Sequence, residues 1–136
     1  MKALVLLLLM LPLSLSGAED HPIDRELEAA IEKDSSTAGQ NRAISVAHKN
    51  WDAELNKAYQ KLLKHLDAEA ARKMRESQRA WMAWRDKGIA SLTAFYEKMQ
   101  GTMWRPIHSY SVMELTRQRA IDLGDLAEIV EERENE

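Results

Sequence analysis

Apolar side chains recur every three or four residues through three long stretches of the chain, the spacing of one face of an α-helix. The clearest runs to about His65. There Ile44, Ala47, Trp51, Leu55, Ala58, Leu62 and Leu66 share a stripe, while Lys49, Glu54, Lys57, Lys61 and Lys64 alternate charge on the outer face. Thr37-Ala38-Gly39-Gln40 precedes it in the form of a capping box, with Thr37 as N-cap and Gln40 reaching back. The next stretch starts at Asp67, a favoured N-cap, with Glu69 in the first turn where the helix dipole welcomes negative charge. It is expected to run from Ala68 to about Gln100, with Met74, Gln78, Trp81, Arg85, Leu92, Phe95 and Met99 on one stripe. Its centre, Ser77 to Asp86, carries Trp81 and Trp84, and the spacing predicts that the other helices pack on it. Gly88 lies inside it, either to admit a neighbouring helix or to kink the rod.

The last stretch, Ile107 to about Arg133, places Val112, Leu115, Arg119, Leu123, Leu126 and Val130 on one face. A shorter one, Ile23 to Lys33, follows His21-Pro22 and carries Leu27, Ala30 and Ile31; Asp34-Ser35-Ser36 ends it. Gly101 to Pro106 is the one loop with large apolar residues. No run alternates apolar and polar residues as a strand would. The predicted fold is all-α: a small antiparallel bundle of three long helices plus a short N-terminal helix, closing on an acidic tail, residues 131–136.

The first 18 residues do not belong to this pattern. Lys2, an apolar run from Ala3 to Leu13, and small residues up to Ala18 form a signal peptide with a cut expected after Ala18. The run is shorter than the roughly 20 residues a spanning helix needs. Export to the periplasm or beyond is therefore expected, with no stable membrane insertion after cleavage and a single domain over 19–136. The chain contains no cysteine, so neither a lipid anchored to one nor a disulfide is expected, and the domain must be held by its core. Without Lys2, 18 basic residues face 22 acidic ones, a net charge of −4. That balance argues against a nucleic-acid partner and is compatible with a cationic protein.

Candidate chemistry is sparse. His21, His48, His65 and His108 have no metal-ligand spacing, and no nucleophile elbow or phosphate-cradling glycine loop occurs. No catalytic, cofactor or metal site is predicted. More informative are polar residues on or beside apolar stripes: Asp52, Asn56, Gln78, Arg85 and Arg119, with Glu114 near them. A buried arginine left without a partner is very costly. Arg85 or Arg119 is therefore expected to pair with Asp52 or another acid from a different helix, either to fix helix register or to line a polar pocket. Trp51, Trp81 and Trp84 read as core. Met103, Trp104 and Arg105 form a candidate partner-contact loop, because Trp and Arg anchor protein interfaces; alternatively, Trp104 folds back over the bundle end.

Four motifs now stand together: Trp51-Asp52-x-Glu54-Leu55-Asn56-x-x-Tyr59-x-x-Leu62, Ser77-Gln78-Arg79-Ala80-Trp81-x-x-x-Arg85-Asp86, Gly101-Thr102-Met103-Trp104 and Glu114-Leu115-Thr116-x-x-Arg119-Ala120-x-x-Leu123. In this order the chain resembles, over about residues 25–126, the N-terminal domain family of LprI-like lysozyme inhibitors, exported helical proteins of bacteria. The resemblance implies an all-helical fold and a non-enzymatic role, binding and inhibiting a lysozyme in the cell envelope; the alternative is an envelope interaction or scaffolding module with a purely structural polar core. Relatives often carry a cysteine pair where this chain has Ala30 and Ala43. The first segment is accordingly expected to fray more easily than the rest.

Overall fold

The computed structural model describes residues 21–136; the expected signal peptide, residues 1–18, lies outside them. Four helices follow one another: α1 (Pro22–Lys33), α2 (Thr37–His65), α3 (Ala68–Tyr96) and α4 (Trp104–Glu134). The described residues contain no strand. None of these helices is long and apolar enough to cross a membrane.

Each helix start has a local cause. Pro22 occupies the first turn of α1, where its missing N–H is no loss, and His21 Nδ1 accepts from the Ile23 N–H at 3.2 Å. The N-cap of α2 is Ser36, one residue before the expected Thr37: its Oγ accepts from the Gly39 N–H at 3.0 Å. Gln40 does not close a box; its side-chain amide donates to the Ser35 carbonyl at 2.8 Å. The shift originates in Asp34. Its carboxylate takes the Ser36 N–H at 3.1 Å and the Ser36 hydroxyl at 2.6 Å, fixing Ser36 in the extended conformation a cap requires. These bonds, joined by Arg42, hold the Asp34 carboxyl below its usual range. Gly39 packs so closely on Asp34 that a Cβ would run into the Asp34 backbone carbonyl.

At the other end, Asp67 caps α3 as predicted, accepting from the Ala70 N–H at 2.8 Å. The helix stops at Tyr96, before the expected Gln100. The chain reverses through Gly101, whose φ of +103° suits glycine alone. The expected loop shortens, because Trp104, Arg105 and a buried Pro106 form the first turn of α4.

The core lies between α2 and α4. Asn41 meets Ser109, His48 meets Thr116, Lys61 meets Glu131 and His65 meets Glu134, so the partner numbers climb together and the two helices run parallel. Consecutive helices are antiparallel, which sets the first and third long helices in the same direction. Ile44, Ala47, Trp51, Leu55, Ala58 and Leu62 of α2 face Met113, Thr116, Ala120, Leu123 and Ala127 of α4, all buried. On α4 these residues alternate in steps of three and four, the spacing of a coiled-coil seam, and its alanines let the backbones approach closely.

Two expectations about packing fail. The face predicted for α4 shares only Leu123 and Val130 with the core; Leu126 is 44% exposed, and Leu115 turns toward α3. The large leucines pulled the stripe one position off a seam made of smaller residues. Nor is α3 the centre of the bundle. It packs chiefly on α4, buries only Ala71 and Gln78, and leaves Trp84 58% and Phe95 56% exposed. α2 and α4 already cover each other along the seam, so α3 reaches that core only at its edge, through Met74 and Trp81. Gly88 belongs to this contact: Leu115 Cδ1 lies 3.5 Å from where its Cβ would stand, and the helix continues through it without a break.

α1 lies against α2, with Leu27 buried in the common core. Ala30 and Ala43 line one cavity of about 260 Å³ between these helices. A cysteine pair placed there (A30C/A43C) is expected to oxidise and to raise the unfolding free energy by about 2–4 kcal/mol. Urea unfolding with and without reductant checks this; equal midpoints under both conditions would contradict it.

Candidate functional site

The interior polar set is different from the one predicted. Asp52 and Asn56 are exposed, and the Asn56 amide merely donates to the Asp52 carbonyl at 3.0 Å, within α2. Arg85 donates to Asp86 of its own helix at 2.9 Å and lies 5.2 Å from the centre of the Trp81 ring. Arg119 donates to Gln78 Oε1 at 3.0 Å and lies 5.8 Å from the centre of the same Trp81 ring. So the structure brings Gln78, Trp81 and Arg119 together across α3 and α4, without the expected acid. A neutral amide and a ring face take the place of a carboxylate, and burial lowers the Arg119 pKa from the usual arginine value. Trp51 is core, 1% exposed, and Tyr59 packs at the edge of the same core.

The ion pair that ties α1 to α4 involves residues the pattern did not select. Arg117 of α4 donates from Nε to Asp24 Oδ1 at 3.0 Å and from Nη2 to Asp24 Oδ2 at 2.7 Å, a fork on α1. It also donates from Nη1 to Glu114 Oε1 at 3.0 Å. Arg117 and Asp24 are 13% and 16% exposed at their side chains, and these bonds raise the Arg117 pKa, those to Asp24 most. The guanidinium lies 5.4 Å from the centre of the Trp51 ring, and the His21 ring stacks on the same indole at 4.3 Å. α1 is thus held to the core by a charge-assisted fork over a buried tryptophan. A second polar bridge crosses the main seam, where His48 Nε2 and the buried Thr116 hydroxyl are 3.1 Å apart.

Two surfaces could meet a partner. At the α3–α4 turn, Trp104 is half-buried and packs 6.3 Å from Tyr96, which in turn lies 5.5 Å from His108. That arrangement is the fold-back alternative for Trp104; Met103 and Arg105 remain exposed beside it. Along the bundle side, α3 and α4 diverge into a groove of about 700 Å³. Trp81, Trp84, Leu92, Tyr110 and Leu115 form its walls, with Glu114, Gln118, Arg119 and Asp122 among its polar residues. Among the described residues, no group of histidine, aspartate and glutamate side chains could hold a metal ion.

The family model for "Lysozyme inhibitor LprI" matches residues 28–123. The chain belongs to the LprI lysozyme inhibitor family. A crystal structure of an uncharacterized protein from Burkholderia thailandensis is similar, with a TM-score of 0.75 and 36% sequence identity over 81% of this chain. The present chain spans 55% of that one's length. No curated protein matches the sequence.

The LprI match takes in every motif singled out in the sequence, and the structure shows how differently those motifs are used. Trp51, Leu55 and Leu62 build the seam, Gln78, Trp81 and Arg119 join α3 to α4, and Asp52, Asn56 and Asp86 face solvent. Arg117 and Asp24 were missed because each sits beside, not on, an apolar stripe. The available signal was the three-four alternation of Met113, Thr116, Ala120, Leu123 and Ala127, which leaves Arg117 flanking the seam, as charged residues flank a coiled coil.

Replacing the fork by an apolar side chain (Arg117→Met) is expected to cost about 2–3 kcal/mol in urea unfolding and to speed hydrogen exchange in α1 ahead of α2. Exchange in α1 unchanged from the parent would contradict it. Burial holds the His48 pKa below its usual 6.5, with nearby Asp52 opposing and Arg85 assisting. The folded state therefore resists protonation. The stability linked to His48 is complete above pH 6.5 and is lost as pH falls through the lower folded value. A urea midpoint falling between pH 7 and 5 in the parent, and flatter in His48→Gln, is the expected result.

Proposed function

We propose that the protein is exported to the cell envelope, where it binds and inhibits a peptidoglycan-cleaving lysozyme. The match to the inhibitor family, covering residues 28–123, carries this reading. Three features of the chain support it. Residues 1–18 have the composition of a cleavable export signal, which supports a place in the envelope, where lysozymes act. The domain remaining after that cut has a net charge of −4, which favours encounter with a basic enzyme. Exposed aromatic side chains, Trp84 above all, provide the kind of anchor that protein interfaces use.

The inhibitor acts by occupying the enzyme and performs no chemistry of its own. A second reading, an envelope interaction or scaffolding module, draws on the shallow seating of α3, whose aromatic row would suit any protein partner.

Purified chain from Glu19 onward, in molar excess over a basic lysozyme, is expected to slow the clearing of a bacterial cell-wall suspension. Full clearing rates across several lysozyme types at stoichiometric excess would remove the inhibitor reading and leave the interaction module.

A further inference from the structure

The groove between α3 and α4 is apolar along its floor and acidic around one end. Trp84, 58% exposed, offers a ring face, the half-buried Trp81 already carries Arg85 and Arg119 over its ring, and Tyr110, 46% exposed, lines the groove from α4. Carboxylates gather at the Tyr110 end: Glu114 on the wall, with Asp24 and Glu28 of α1 close enough to act on the phenol. Tyr110 keeps its proton to a higher pH than usual, first through burial and then through these negative charges, Arg117 opposing them. Asp122 lines the groove further along α4 and accepts only a neutral amide bond, from Gln118 at 2.9 Å. The nearby guanidiniums already have partners. Arg117 is forked on Asp24, and Arg119 is bonded to Gln78 and placed over Trp81. An accessible aromatic face in the same groove as Asp122, in a region where carboxylates outnumber guanidiniums, calls for a cation with a flat or flexible apolar stem, which is the side chain of arginine or lysine.

We propose that this groove receives a basic segment of the inhibited enzyme, with an arginine or lysine laid on Trp84 and its charge met by Asp122. The assignment deepens the inhibitor reading and rests on it for the identity of the partner. The occupant is a protein segment. A glycan would also stack on the rings but would not use the excess of negative charge, and a second copy of this acidic chain would add to that excess.

The test uses the chain from Glu19 onward and three variants. Trp84→Ala and Asp122→Lys alter exposed groove residues, and Val46→Ser alters an apolar residue of α2 that is 60% exposed and outside the groove. Circular dichroism confirms equal folding. Calorimetry against a basic lysozyme is expected to show affinity falling at least about tenfold for Trp84→Ala and Asp122→Lys and staying within about twofold for Val46→Ser. The loss for Asp122→Lys should shrink in high salt. Parent-like affinity in both groove variants would overturn the assignment while leaving inhibition intact. If the parent binds no lysozyme, the inhibitor reading fails, and hexa-arginine becomes the probe of the groove itself. Quenching of tryptophan fluorescence by hexa-arginine that weakens in Asp122→Lys supports the basic occupant. Equal quenching of parent and Asp122→Lys, tighter binding of a chitin oligosaccharide, or a parent dimer that Trp84→Ala disperses would each overturn it.

Discussion

The parallel seam between α2 and α4 determines where everything else can go. It is built from a tryptophan, a few leucines and a methionine set among alanines, and the alanines matter most for geometry. They bring two backbones close enough that Trp51, Met113 and Leu123 lose essentially all contact with water. Burial of such side chains contributes about 1.5–3 kcal/mol each. With that interface fixed, α1 packs against α2 and α3 against α4, and the two differ in how they are retained. α1 is held by Leu27 and by a charged fork over Trp51. α3 is held by Leu115 against Gly88, by Trp81 and by the Arg119–Gln78 bond.

This asymmetry separates stability from recognition. The tightly packed pair carries the fold and is nearly closed to the outside. The loosely seated third helix keeps its aromatic side chains accessible, at the cost of the area they would have buried. An LprI-family domain can therefore vary the outward face of α3 without touching the seam. The same logic applies to α1. The charged fork ties the helix to α4 through Arg117, while a disulfide between positions 30 and 43 would tie it to α2. Such a connection is sensitive to salt and to any loss of either charge.

Much of the fold is legible in the sequence. Helix number, order, the Asp67 cap and the buried face of α2 follow from spacing alone, because Ile44 through Leu62 is a broad stripe of large side chains flanked by charge. The face of α4 is not, because that helix serves two neighbours and spreads apolar residues around most of its surface. Periodicity reports which residues avoid water; it does not say which of two flanking helices will cover them. The Ser36 cap escaped for a related reason, since Asp34 overrides the local capping pattern through a bond that the pattern does not contain. Of the residues that line the groove, Trp81, Trp84 and Arg119 were noticeable in the sequence, while Tyr110 and Asp122 belong to it only through the turn at Gly101 that folds α4 back along α3.

The parallel direction of the central pair has a kinetic side. Side chains that meet across it are 68–70 positions apart. An antiparallel hairpin could have matched neighbours across a few residues. Each doubling of a flexible connection adds about 0.6 kcal/mol of closure entropy. α2 thus emerges from synthesis with a finished apolar face and nothing to put against it until the final helix arrives. In the interval α3 acts as a strut: once helical, it replaces a long floppy tether by a rod that delivers α4 to the correct end.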